Sequence, residues 1–310
     1  MNESFFIIGQ QVLVLFIMIF VGFICTKRGF FSEEGIKSIT NFILYITIPC
    51  VIINSFHREF DFTMVKNLAK AFFAALLVHL LNILLVNLII HDKDENRERV
   101  LKFATIFSNC GYMALPLQEA LLGKDGVFLG SVFNVVFNII NWTYGIFLMG
   151  GKGTKISIKT AFLNPGVIGV VLGLIFFLTP LKLPHILLSS LQNFASMNTV
   201  LPTLVIGFYL AKVSNLTVLK DVKLSLALLL RLVLLPVLAM ILLIVFGLRG
   251  NLLASIIIAA AAPCAANTVM FAGKFDRDTS LSATLVSVST LFSIITMPII
   301  IQFCIKYFYL

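Results

Sequence analysis

Charge is what this sequence has least of. Asp, Glu, Lys and Arg make up only 12% of its 310 residues, against 59% apolar residues and a mean hydropathy of +1.04. A chain with so little polar surface cannot cover a water-facing exterior, and thirty Phe among long Leu, Ile and Val runs exceed what a soluble core holds. The runs are continuously apolar rather than alternating over strands of about ten residues, which excludes a membrane β-barrel. What remains is a polytopic α-helical membrane protein.

Other absences narrow the chemistry. The five cysteines (Cys25, Cys50, Cys110, Cys264, Cys304) are scattered through apolar runs with no CxxC pair, so neither a disulfide framework nor a zinc site is expected. There is no His-Glu-x-x-His and no paired intramembrane Asp, so the chain is read as no enzyme, with no metal and no cofactor. The net charge of +9 comes from Lys and Arg that lie almost entirely between the apolar runs. That is where membrane topology puts them, so nucleic acid is not an expected partner. The N-terminal stretch lacks a basic segment, offers Glu3 instead, and is long enough to span, so it is read as a membrane span rather than a cleaved signal.

What the sequence does have is interruption. The stretch Asn109-Cys110-Gly111-Tyr112-Met113-Ala114-Leu115-Pro116 sits inside an apolar run from Leu101 to Leu122. Proline removes a backbone donor and clashes with the preceding turn, and glycine loosens the helix further. In hydrocarbon an unpaired backbone group has no partner, so a broken helix survives only where protein or a wet cavity surrounds it. A second span, near residues 251–273, is interrupted about one half-chain later by the stretch from Ala259 through Pro263-Cys264-Ala265-Ala266-Asn267-Thr268. Paired interruptions in two halves point to a transporter's binding site.

Ten spans are drawn, near residues 4–26, 36–56, 67–90, 101–122, 126–149, 160–179, 186–210, 222–247, 251–273 and 280–305. Each is close to the roughly 20 residues that cross a bilayer. With the N-terminus outside, fifteen Lys and Arg fall inside, among them Lys27, Arg97, Lys152, Lys155, Lys159 and Arg277, and seven fall outside. That asymmetry predicts a multi-pass protein of the cell membrane with both termini outside. Laying residues 1–149 on residues 160–310, with 150–159 as a short cytoplasmic linker, matches Pro49 to Pro202, His79 to Arg231 and Pro116 to Pro263. Five spans is an odd number, so the second copy enters from the opposite side and the repeat is inverted.

These residues resemble the auxin efflux carrier family, which includes plant auxin exporters and bacterial malate or malonate permeases. Asn109-x-x-x-Met113-Ala114-Leu115-Pro116 is similar to that family's Asn-x-x-x-Met-Gly-x-Pro element, with Ala114 in place of a glycine. Pro263 through Phe271-Ala272-Gly273-Lys274-Phe275 is similar to its Pro…Phe-Ala-x-x-Tyr element, with Phe275 for the tyrosine, and Ser287 to Pro298 also looks like bacterial members. The resemblance covers the whole chain. It implies an all-α fold of ten transmembrane helices in two inverted five-helix repeats, with broken, crossing helices 4 and 9 as in bile-acid symporters. It also implies elevator-type alternating access and a homodimer. The short Gly150–Lys159 connection, where plant exporters carry a long loop, fits a compact prokaryotic type.

The expected substrate site is the crossover: Asn109, Cys110, Gly111, Pro116, Pro263, Asn267 and Thr268. Half-helix N-termini expose N–H groups and partial positive charge, a cradle for a carboxylate. Asn134 and Asn138, on one helical face with Ser131 and Asn141, are further contributors, as is Ser289 with Ser282, Ser293 and Thr296. Interhelical hydrogen bonding explains the same faces equally well. His79 is a candidate proton site and Arg231 either attracts the anion or pairs with backbone carbonyls. No Asp or Glu stands beside either break, so a sodium site there would rest on neutral oxygens, and proton, sodium or no coupling all stay open. The function read from these residues is secondary transport of a small organic anion, with a cation-coupled symporter or antiporter and a non-transporting receptor as alternatives. If the crossover is wet, Cys110 and Cys264 react with polar thiol reagents before Cys25 or Cys304.

Overall fold

A computed structural model describes residues 2–151, 154, 163–179, 181–212 and 220–308. Among them there is no strand, and the helices follow from apolar runs opened by short polar caps. Helix α1 is Asn2–Lys27, and α2 (Glu33–Phe42) starts on Ser32, whose Oγ accepts the Gly35 N–H. It continues through a π-turn, Ile43–Thr47, into α3 (Ile48–Phe56). Asp61 caps α4 (Phe62–Ile89) and Asp94 caps α5 (Glu95–Ile106), each carboxylate accepting an N–H two residues on.

After an extended stretch, a π-turn at Cys110–Ala114 leads into α6 (Leu115–Ile140), a π-turn at Asn141–Gly145 and α7 (Ile146–Gly150). Helix α6 doubles back on itself. Gly123 has φ 61° and ψ −150°, a conformation open to glycine, so residues 115–122 and 124–140 are separate limbs of a hairpin. A Cβ on Gly126 would lie 2.5 Å from the Gln118 carbonyl oxygen, which shows how tightly the limbs close. The rest of the chain forms α8 (Pro165–Leu178), α9 (His185–Ala211), α10 (Val222–Leu229), a π-turn at Leu230–Leu234, α11 (Leu235–Val245), α12 (Gly250–Ala261), α13 (Asn267–Lys274) and α14 (Thr279–Phe308).

Among the described residues six helical stretches are long and apolar enough to cross a membrane: Glu33–Phe56, Phe62–Ile89, Cys110–Gly150, His185–Ala211, Val222–Val245 and Thr279–Lys306. Shorter apolar helices are Leu13–Lys27, Pro165–Leu178 and Gly250–Ala261. Stripes of large apolar side chains face outward, such as Leu80, Leu84 and Leu88 on α4 and Ile295, Ile299 and Phe303 on α14. Spaced at i, i+4, i+8, they present one face that suits acyl chains and not water. The chain is a multi-pass membrane protein.

Small residues set the closest helix contacts, as expected where hydrocarbon gives no hydrophobic drive between helices. Helix α1 lies on α9 through Gly22 and Gly207, and α8 lies on α3 with Gly169 against Pro49 and Gly173 against Phe56. Loops expected to share a side do meet. Arg97 pairs with Asp221, Lys223 with Asp92, and Arg277 donates to Asn96 and to the Met149 carbonyl at one end. Arg58 pairs with Asp125 at the other. The expected 150–159 linker lies largely outside the described residues, as do Lys152, Lys155 and Lys159.

Candidate functional site

The two interruptions meet. Helix α5 stops at Ile106, with Phe107 in extended backbone, and α12 stops at Ala261, with Ala262 extended because the residue before a proline is pushed out of the helical region. The freed segments then pair. Ser108 lies opposite Cys264 in an antiparallel bridge, the Asn109 N–H donates to the Pro263 carbonyl at 2.8 Å, and the Ala265 N–H donates to the Phe107 carbonyl at 2.9 Å. The Cys264 N–H donates to Ser289 Oγ at 3.1 Å, so Ser289 holds the crossover from α14. Each break thus supplies the hydrogen bonds the other lost, which is what makes a buried break tolerable.

Beyond the bridge both chains re-enter helix. Met113 and Ala114 N–H groups both return to the Asn109 carbonyl, and the Thr268 N–H and Oγ1 both go to the Ala265 carbonyl. The residues between, Cys110 to Tyr112 and Ala266 to Asn267, open the two second half-helices, where first-turn N–H groups have no intrahelical acceptor; the Cys110 N–H turns back to the Ser108 carbonyl at 2.9 Å. Asn267 Oδ1 is buried with no hydrogen-bond partner among the described residues. Next to the first opening, Asn134 Oδ1 lies 3.7 Å from Cys110 Sγ and accepts from Asn138 Nδ2 at 3.1 Å. Gly111 approaches Asn134 closely enough that a Cβ would sit 3.5 Å from its Nδ2. Asn134 and Asn138 therefore reach the crossover from the second limb of α6.

Arg231 is fully buried and points at the first half-helices. Its Nη1 donates to the Thr105 and Ile106 carbonyls at 3.2 Å each, and Nη2 donates to the Ala260 carbonyl. These oxygens belong to the last turns of α5 and α12, whose carbonyls have no intrahelical donor. Of the two roles open from the sequence, pairing with carbonyls is the one the geometry gives. Asn82, on α4 and not singled out by sequence, adds its Nδ2 to the Ile106 carbonyl at 3.3 Å. Its signal was available: a second polar residue one turn after His79. His79 itself donates Nδ1–H to the Ala75 carbonyl of its own helix at 2.7 Å and lies 4.8 Å from the Phe133 ring, apart from the bridge.

Pro116 lines a cavity of about 30 Å³ between the crossover and three other helices, with Tyr112, Met113, Ile19 of α1, Thr203 of α9 and Ser293 of α14. That is room for about two waters. The site is closed in this conformation, and the thiols follow suit. Cys110 and Cys264 are 2% and 1% exposed, as buried as Cys304, while Cys25 is half-buried. The expectation that the two crossover thiols react first is therefore corrected for this state: backbone pairing fills the space a reagent would need.

Comparison with known proteins gives matches along the whole length. The family described as "Membrane transport protein" matches residues 7–161 and 153–301. An uncharacterized transporter of Methanocaldococcus jannaschii is 23% identical over 301 residues, covering 93% of this chain and 96% of the relative. An uncharacterized transporter of Methanothermobacter thermautotrophicus is 22% identical over 300 residues, covering 94% and 96%.

Proposed function

The chain belongs to the membrane transport protein family, the auxin-efflux-carrier-like family its motifs resemble, and from that premise we propose that it is a secondary carrier of a small organic anion. The substrate class is a mono- or dicarboxylate such as malate, malonate or an auxin-like acid, bound at the crossover. One observation carries this: two interrupted helices are joined by the Asn109–Pro263 and Ala265–Phe107 hydrogen bonds, which brings two half-helix N-termini to one place. Each N-terminal end carries roughly half a positive charge, and its free N–H groups suit a carboxylate. The substrate site is assigned to Asn109, Cys110, Gly111, Pro116, Pro263, Asn267 and Thr268, with Asn134 and Asn138 beside them.

The architecture proposed is ten crossings in two inverted halves, residues 1–149 and 160–310. Helix packing supports it. The first span lies on the seventh (α1 on α9) and the sixth lies on the second (α8 on α3), the reciprocal pair that an inverted repeat requires. Those four spans form one packed set, and the crossover with its neighbours forms another, which suits an elevator motion of one against the other. A homodimer, and both termini outside, complete the proposal.

The test is uptake of labelled malate, malonate and indole-acetate by proteoliposomes. The wild type is expected to accumulate at least one of them. Asn109→Ala combined with Asn267→Ala is expected to lower flux at least ten-fold with an unchanged melting temperature. Near-normal flux in that double variant rules out the crossover as the site. Ligand-induced stabilisation with no flux for any substrate favours a receptor instead.

A further inference from the structure

We propose that Arg231 is a resident counter-cation of the crossover, holding the place a co-transported cation would otherwise take, so that anion transport proceeds without sodium. The inference rests on the carrier reading above and concerns how the charge at its site is balanced.

A pair of broken helices leaves four ends. Each C-terminal end carries roughly half a negative charge and each N-terminal end roughly half a positive one. In carriers with broken helices, unwound carbonyls and C-terminal half-helix ends are the groups that coordinate sodium or protons. Here three of those carbonyls are already occupied. One guanidinium donates to Thr105 and Ile106 of the first half-helix and to Ala260 of the second. The fork shape of arginine lets a single side chain serve both ends, which a point charge such as lysine could not do as well. Asn82 adds a neutral donor to the Ile106 carbonyl. No Asp or Glu occurs in residues 101–118 or 255–275; Glu119, the one carboxylate of the run from Leu101 to Leu122, lies about two and a half turns past the first helix opening.

The balance follows. Two C-terminal ends sum to roughly one negative charge, and Arg231 offsets it. The two N-terminal ends are then left with roughly one positive charge and no carboxylate in their first turns, a match for one substrate carboxylate. A sodium ion in addition would place a second positive charge beside a guanidinium that already holds three of the half-helix carbonyls.

The experiment has a flux arm and a binding arm. In proteoliposomes the wild type is expected to transport at rates within two-fold whether sodium, potassium or choline is the cation. Flux that requires a sodium gradient overturns the inference while leaving the carrier reading standing; absence of flux under every gradient sinks the carrier reading itself. Arg231→Ala is expected to lower flux at least ten-fold, with several-fold recovery in millimolar guanidinium but not in urea, its neutral analogue of the same shape. Recovery by urea equal to that by guanidinium, or undiminished flux, overturns the charge role. In the binding arm, the melting temperature of purified wild type is expected to be the same in sodium and choline, whereas Arg231→Ala is stabilised by guanidinium over urea. Sodium stabilisation of the wild type overturns the inference without reference to transport. If Arg231→Ala does not fold, Arg231→Lys keeps the charge without the fork and is expected to transport at an intermediate, still sodium-independent rate. Sodium dependence in that variant, or flux equal to wild type, counts against the guanidinium.

Discussion

At the scale of single residues, the tightest constraints are backbone approaches that admit no side chain. A Cβ on Gly207 would lie 2.2 Å from the Ile19 carbonyl oxygen, and one on Gly22 would lie 2.6 Å from the Leu204 carbonyl oxygen. Both obstacles are backbone, so a methyl group forces α1 and α9 apart. Gly207→Ala is therefore expected to destabilise by about 1–3 kcal/mol, the usual cost of overpacking. Gly273→Ala, whose nearest neighbour would be 3.8 Å away, serves as the control and is expected to melt like the wild type. Thermal unfolding in detergent measures both. Neither glycine stands out in the sequence, because a close approach depends on a partner about 180 residues distant. Arg231 did stand out, since a charge inside an apolar run is costly whatever it touches. Its partners did not, because carbonyl oxygens carry no residue-type signature.

At the scale of elements, proline acts in three ways here, and sequence separates only one of them. Pro263 ends a helix outright. Pro49, Pro116 and Pro236 each follow a π-turn, at Ile43–Thr47, Cys110–Ala114 and Leu230–Leu234. A missing N–H leaves a carbonyl unbonded, and the ladder absorbs the mismatch by slipping one residue. Pro202 and Pro298 lie within continuous helices. Which outcome follows depends on the groups around the freed carbonyl, so the two crossover breaks were legible from their polar and small neighbours and the π-turns were not. The Leu230–Leu234 turn raises a question of cause: Pro236, or the bonds of Arg231. Restoring one backbone hydrogen bond gains about 1 kcal/mol, whereas each bond from a charged donor is worth about 1.5–3 kcal/mol, and Arg231 makes three. The arginine should win. Pro236→Ala is expected to keep the turn and transport within about three-fold of wild type; a loss as deep as that of Arg231→Ala would assign the turn to the proline.

At the scale of the whole molecule, composition alone identified a helical membrane protein, and the order of apolar runs anticipated which loops share an end. The links between those loops were invisible. Arg97 pairs with both Asp92 and Asp221, and Lys223 reaches Asp92 at 3.2 Å, so the α4–α5 connection is tied to the start of α10 across 124 residues of sequence. Asp92, Arg97 and Asp221 lie outside the membrane-spanning stretches and Lys223 stands in the first turn of one, so the charge state of the carboxylates responds to bulk pH. The Asp94 backbone N–H, 3.0 Å from Asp92 Oδ1, is the main cause that holds the Asp92 carboxyl below its ordinary value of 3.8; Lys223 and Arg97 add to it against an opposing effect of burial. A carboxyl whose folded-state pKa is depressed stabilises the fold above its unfolded value and loses that contribution as pH falls through the folded one. Partly exposed pairs of this kind are worth up to about 1 kcal/mol. Asp92→Asn is therefore expected to melt a few degrees below wild type at pH 7. The gap should stay constant down to about pH 4 and close as pH falls further, because the wild type then protonates the same group. Glu95, Glu98 and Asp221 are also held low and titrate in both proteins, so the difference between the two melting curves isolates Asp92. A gap that persists unchanged at pH 3 would mean that Asp92 acts through packing and not through its charge.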